Sequence, residues 1–430
     1  MKADRVRCID ITRVRQSIGL GNLIYNLFRF KLLTSDCKIT LKHIFLDNGN
    51  WWKFFLKYHR IIRMAIVINV LKMLVCRTPA LGYRLFRCSG CPFKKIFCFS
   101  CKSRFCPSCG KKATDIWMQN AYNRLPKTRW QHITFTMPDV LWDIFWHNRH
   151  LINKVAPIAA NIIKTQAKKQ RFIPGIYLAI HTFGRDLKRN LHVHLSTTTA
   201  GLTFDHKRWI SKAYFDHRKL KDSWKYGIIT RLRKQYKDPE QPLILPAQLK
   251  HLRNYTAFNS WLNFLYQKQW VVHLNQQSDN HINNTQYLGK YLKRPPIGET
   301  RIKAYDGKDV TYEYLDHYTK EKHTMTLTAL EFIARVVTHI PDQHFRVIRY
   351  YGFLSNRLSG TLMPIVYKLL DQNPPRRKFY LPWLKMLWEH FRCNPLICPH
   401  CATTMVLACL VLPSNASLIA QHQQIAHGFT

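Results

Sequence analysis

The sequence predicts an α+β protein with an antiparallel sheet, on three observations. β-branched and aromatic runs interleave with helical stretches between residues 126 and 355. An Asp306-Gly307 pair between two such runs marks an antiparallel hairpin. A helical stretch and a dense cysteine cluster precede both, as a separate small domain.

The elements follow in order. Residues 1–42 are a basic leader with no recognisable motif, and 43–125 make the helical and zinc-binding domain. It opens with the amphipathic stretch Trp51–Cys76. Residues 126–355 are read as the catalytic domain. There Gln131–Met137 (QHITFTM) alternates as a strand and is stopped by Pro138. Ile176–Thr182 is β-branched and aromatic, opened by Pro174-Gly175, and Leu191–Thr197 follows after a short turn. Arg301–Tyr305 and Val310–Tyr314 flank the Asp-Gly turn, where glycine supplies positive φ. The last region, 356–430, opens with the turn-rich Asp371–Arg377 and carries a Cys-x-x-Cys knuckle.

Charge narrows the partner. Lys and Arg number 67 against 24 Asp and Glu, a formal net charge of +43. Such a surface attracts a polyanion, with counterion release driving sequence-independent binding to nucleic acid. The basic residues are scattered and not clustered beside an apolar span, which favours nucleic acid over a membrane surface. The most apolar stretch, Ile61–Val75, contains Arg63 and Lys72 and falls short of the roughly 20 residues a bilayer requires. No signal peptide is read at the N-terminus, so a cytoplasmic location is expected. No phosphate-binding Gly-x-x-x-x-Gly-Lys-Ser/Thr loop is present, so no ATP requirement is expected.

Thirteen cysteines in an intracellular chain point to metal before disulfides. Three Cys-x-x-Cys pairs crowd together: Cys88/Cys91, Cys98/Cys101 and Cys106/Cys109. Zinc takes four thiolates in a tetrahedron, and each such turn presents two. Six thiols exceed one site's need. The preferred set is Cys88, Cys91, Cys106 and Cys109, with Cys101 as substitute and Cys98 as the remaining candidate. Cys398 and Cys401 form a further knuckle, to be completed by Cys393, by His400 or from elsewhere. Lys94, Lys95, Lys102, Arg104, Lys111 and Lys112 make the first cluster a candidate DNA-docking surface.

Two small patterns carry chemistry. In Leu191-His192-Val193-His194-Leu195 the histidines are i, i+2 on a strand, on one side and roughly 6–7 Å apart, while the apolar residues face a core. They can hold one divalent ion, with His181, Asp186 or Gln286 as third ligand. Tyr287 and Tyr291 are i, i+4 on a helix ended by Pro295-Pro296 and surrounded by Lys290, Lys293 and Arg294. A phenol of pKa about 10 needs help to attack a phosphodiester at neutral pH. A divalent ion and nearby lysines provide it, leaving a 5′-phosphotyrosine and a free 3′-hydroxyl. A second tyrosine could hold a second strand end.

From about residue 46 to 355 the chain resembles the rolling-circle transposases of insertion-sequence family ninety-one, of the HUH nuclease superfamily. The matching stretches are Cys76–Gly82, the Cys88–Cys109 module, Gln131–Pro138, His181–Gly184 and the His192/His194 motif. Tyr287–Tyr291, Arg349–Gly352 and the Cys398/Cys401 knuckle complete them. The resemblance implies an RRM-like antiparallel sheet, Mg²⁺ or Mn²⁺ at His192 and His194, and Tyr287 and Tyr291 as nucleophiles on single-stranded DNA at element ends. The competing readings are a plasmid or phage replication initiator or relaxase, and a catalytically inactive zinc-dependent DNA-binding protein.

Overall fold

The computed structural model describes residues 39–277, 295–316, 319, 321–374, 394 and 396–412. Along the chain the described strands begin with β1 (Tyr83–Cys88), β2 (Lys94–Cys98), β3 (Trp130–Thr136), β4 (Phe172–Ile173) and β5 (Gly175–Phe183). They continue with β6 (Arg189–Thr198), β7 (Gly201–Thr203), β8 (Trp209–Ile210) and β9 (Val272–Leu274). The last are β10 (Ile302–Tyr305), β11 (Asp309–Leu315), β12 (Lys322–Thr328), β13 (Ile348–Gly352) and β14 (Met405–Val411). The α+β expectation holds, and the three strands anticipated between residues 131 and 197 are β3, β5 and β6.

The sheet that positions the histidines has the order β13-β5-β6-β3-β9, with every neighbouring pair antiparallel. Alternation divides its two faces. Leu191, Val193 and Leu195 of β6 point into one core with Ile133 and Phe135 of β3 and Ile176, Leu178 and Ile180 of β5. Helices Ile152–Lys169, His217–Tyr236 and Tyr255–Gln267 cover that face, burying Val155, Ala159 and Ile163, then Leu220, Trp224 and Ile228, then Phe258 and Leu262. The helical i, i+4 spacing of these residues is what lays a stripe on the sheet. Each fully buried large aliphatic side chain contributes about 1.5–3 kcal/mol. On the opposite face, Trp130 and Tyr177 pack with Phe353, Met363 and Val366 into a second cluster. Gly352 closes the edge pairing with φ of 62°, and a Cβ there would stand 1.7 Å from the Pro174 carbonyl oxygen. Only glycine fits so close an approach.

The chain divides into two compact units, which do not follow the linear segments 43–125, 126–355 and 356–430. One gathers the described residues within Met1–Ala113, Arg294–Asp342 and Tyr380–Thr430, and the other those within Thr114–Lys293 and Gln343–Phe379. The Asp306-Gly307 hairpin forms as anticipated, with Gly307 at φ 94°, but it belongs to sheet β10-β11-β12 of the first unit and not to the histidine sheet. The reason lies in its partners. The Tyr305 hydroxyl donates to the Asp47 carboxylate at 2.8 Å and accepts from Asn50 Nδ2 at 2.8 Å. The Leu41 amide donates to Glu299 at 3.1 Å, and helix Ala329–Thr338 packs on helix Asn50–Tyr58. The same unit holds sheet β14-β1-β2, which joins the cysteine-rich hairpin to a strand from the far end of the chain.

Candidate active site and metal centres

Strand pairing builds the histidine cluster. His192 lies directly across from His181 on β5 and Thr136 on β3, while His194 lies across from Ala179 and Thr134. Paired residues share a face, so three imidazoles meet on the side away from helices Ile152–Lys169, His217–Tyr236 and Tyr255–Gln267. Ring centroids are 5.2 Å apart for His181–His192, 4.7 Å for His181–His194 and 4.8 Å for His192–His194. One nitrogen from each of the three lies within 4.8 Å of the others. His181 and His194 are buried, and small Ala179 leaves His194 its space.

The outer partners settle the tautomers. His192 Nδ1 is 2.9 Å from the Asn190 carbonyl oxygen, which can only accept, so Nδ1 carries the proton and Nε2 keeps its lone pair. His194 Nε2 stands 3.1 Å from His192 Nε2, and its Nδ1 stands 3.1 Å from His132 Nε2 and 3.3 Å from Thr134 Oγ1. His132 Nδ1 in turn faces Ser196 Oγ at 3.4 Å. Burial, then the charge of His273, holds the His132 imidazole down to about 3. It is therefore neutral and can accept the His194 Nδ1 proton. Two Nε2 lone pairs aimed at each other at this separation repel unless a cation lies between them, and outer partners on Nδ1 are the usual support of metal-binding histidines. The residues fit a divalent metal.

Of the two described candidates for third ligand, His181 is the one the fold brings to the pair. Asp186 instead shapes the β5–β6 turn, accepting from the Lys188 amide at 3.1 Å and pairing with its ammonium at 3.6 Å. Gln286 lies outside the described residues, as do Tyr287, Tyr291, Lys290, Lys293 and Arg294.

Among the described residues, eight cysteines form two clusters, and neither is the preferred set. Cys76, Cys101, Cys106 and Cys109 converge in one, Cys88, Cys91, Cys398 and Cys401 in the other. Cys88 and Cys91 stand at the β1–β2 turn, paired away from Cys106 and Cys109, because β14 brings the late knuckle to them. Tetrahedral zinc with Zn–S about 2.3 Å separates its sulfurs by about 3.8 Å. The first cluster shows 3.7 Å for Cys76–Cys109 and 3.6 Å for Cys101–Cys109. Hydrogen bonds from Cys101 and Cys106 draw the Cys76 thiol down to about 7, and those from Cys101, Cys106 and Cys76 lower that of Cys109. Cys109 also sits in the first turn of helix Pro107–Arg124, where the helix end favours a thiolate. Cys98 joins neither cluster; it is half-buried, and burial raises its thiol.

A family profile described as "Transposase zinc-binding domain" matches residues 49–137, and one described as "Putative transposase" matches residues 175–360. The transposase for insertion sequence element IS801 of Pseudomonas savastanoi pv. phaseolicola is 36% identical over 395 residues, 90% of this chain and 95% of that protein. The chain belongs to the transposases of insertion-sequence family ninety-one. "Putative transposase y4qJ" of Sinorhizobium fredii (strain NBRC 101917 / NGR234) is 27% identical to this chain over 309 residues, 70% of this chain and 77% of that protein. No solved structure matches the chain.

The transposase acts on DNA, for which its charge of +43 is suited, and its cysteine clusters lie in and beside a zinc-binding domain. Of the described DNA-contact candidates, Lys102 is exposed and Arg104 is half-buried. No described helix is long and apolar enough to cross a membrane. Sequence reading missed two residues at these sites. Cys76 lies 25 residues before Cys101 and outside any Cys-x-x-Cys spacing. His132 is set on a different strand from the His-x-His pair, and only β3–β6 register joins them.

Proposed function

We propose that the transposase is a two-tyrosine HUH nuclease and strand transferase that nicks and rejoins single-stranded DNA at element ends. The observation that carries this reading is the convergence of His181, His192 and His194 on one face of the sheet. These three imidazoles would hold a divalent ion, Mg²⁺ or Mn²⁺. Asn190, His132 and Thr134 orient them from behind. When bound, such an ion supplies positive charge at a scissile phosphate.

The covalent step belongs to Tyr287 or Tyr291. Lys290, Lys293 and Arg294 surround both in the sequence and favour the phenolate. The phenolate oxygen forms a bond to phosphorus as the bond to the 3′ oxygen breaks. That oxygen takes up a proton and leaves as a 3′-hydroxyl, and the 5′ phosphate stays on tyrosine. Rejoining is the reverse attack by a 3′-hydroxyl, which releases the phenol. One phosphodiester is exchanged for another, so no ATP is consumed. The second tyrosine allows two strand ends to be held in turn. Cys76, Cys101, Cys106 and Cys109 would hold a structural zinc, and a cytoplasmic location is part of the same reading.

The test is covalent-adduct formation. Full-length protein is incubated with labelled single-stranded DNA spanning candidate element ends, with Mn²⁺ or Mg²⁺, and run on a denaturing gel. A metal-dependent labelled band should appear, disappear in the Tyr287→Phe/Tyr291→Phe variant and weaken in His192→Ala. Tight binding to authentic ends with no adduct under either metal would refute the nuclease reading.

A further inference from the structure

We propose that Cys88, Cys91, Cys398 and Cys401 bind a second zinc ion that clasps the far end of the chain onto the β1–β2 hairpin. The matched zinc-binding span, residues 49–137, contains only half of this ligand set.

The geometry is that of two facing knuckles. Cys88 Sγ is 3.2 Å from Cys401 Sγ, Cys91 Sγ is 3.6 Å from Cys398 Sγ, and all four sulfurs lie within 4.8 Å of one another. A disulfide would need about 2.05 Å, so these are four separate thiols on a shared centre. The Gly90 amide points at Cys88 Sγ at 3.3 Å. A Cβ at Gly90 would stand 2.8 Å from Thr403 Oγ1, so the two knuckles are closely packed and a side chain there would displace Thr403.

The sheet behind them explains why a metal is required. β14 pairs with β1 from Tyr83–Val411 to Cys88–Met405, across more than three hundred residues of chain. Among the described residues, the buried cluster beneath is Phe86, Cys88, Cys398 and Met405, with Cys91, Phe93, Phe97 and Leu396 partly buried against it, so three of these eight are the thiols themselves. Val406, Leu407 and Leu410 on the same strand are exposed and add nothing to it. So small a core does not by itself hold together two segments so distant in the chain. A tetrathiolate zinc does, because binding is available only once both knuckles are in place.

The proposal is tested on the full-length protein without reference to its DNA chemistry. Metal release should give two zinc ions per chain in the wild type and one in Cys398→Ser/Cys401→Ser. Cys98 and Cys409, which belong to neither cluster, serve as internal controls in alkylation of the native protein by iodoacetamide, read by mass spectrometry. Cys401 is exposed, yet it should alkylate more slowly than both controls, and a chelator should abolish that protection. The alkylation needs no variant and stands even where the double substitution fails to fold. A single zinc in the wild type, two retained in the variant, or Cys401 modified as fast as the controls would each overturn the clasp.

Discussion

Removing the His132 imidazole is the sharpest probe of the histidine centre. Replacing His132 with leucine keeps apolar volume but deletes the acceptor 3.1 Å from His194 Nδ1. One net hydrogen bond is lost, worth about 0.5–1.5 kcal/mol. Freeing the His194 ring among two or three rotamers adds about 0.4–0.6 kcal/mol at most. Thr134 Oγ1, 3.3 Å away, remains as an alternative acceptor and keeps the total modest. Together these give about 1–2 kcal/mol, or a 5- to 30-fold weaker Mn²⁺ complex, in line with the general effect of outer-partner loss. Isothermal titration of Mn²⁺ into zinc-replete protein measures it, with circular dichroism to verify folding. His132→Gln places an amide oxygen near the lost Nε2 and should bind within a few-fold of wild type. A folded leucine variant that binds Mn²⁺ as tightly as wild type would refute the relay. Equal weakening in both variants would assign the effect to packing.

The remaining expectations are briefer. Because three imidazoles offer nitrogen and Mg²⁺ prefers oxygen, Mn²⁺ should bind more tightly than Mg²⁺ by at least tenfold in the same titration; equal affinities would contradict a three-histidine site. Cys76→Ser should lower bound zinc by one ion per chain, whereas Cys98→Ser should leave zinc content unchanged, both read by metal analysis. Gly352→Ala puts a methyl against the Pro174 carbonyl at positive φ and should cost about 1–3 kcal/mol or more in denaturant unfolding. Asp216 caps helix His217–Tyr236, and the Lys219 amide holds its carboxyl below the ordinary range. Its contribution is therefore full above the unfolded value and is lost as pH falls through the folded one. In acid titrations of stability, Asp216→Asn should flatten this limb.

Much was legible because it is local. Alternation in Gln131–Met137 and Leu191–Thr197 marked strands, since a residue's face on a sheet depends only on its parity. The same parity put His192 and His194 together and sent Leu191, Val193 and Leu195 to the core. Asp306-Gly307 marked a hairpin, since positive φ is a property of the turn itself. None of these says which sheet a strand joins: the hairpin is read within the segment 126–355 that also holds the histidines, and Tyr305, Asp47 and Asn50 bind it into the first unit.

The sequence by itself determined the class of chemistry: a strongly basic chain, thiol knuckles for zinc, an i, i+2 imidazole pair, and two tyrosines i, i+4 that lie outside the described residues. Tertiary structure alone decided the partnerships. His181 and His132 reach the pair through β5 and β3 register, Asp186 is spent on a turn, and Cys88/Cys91 meet Cys398/Cys401 and not Cys106/Cys109. Spacing along a chain reports geometry only over the few residues that share one helix turn or one strand. Which distant segments share a site is set by strand pairing and core packing, which involve the whole chain at once.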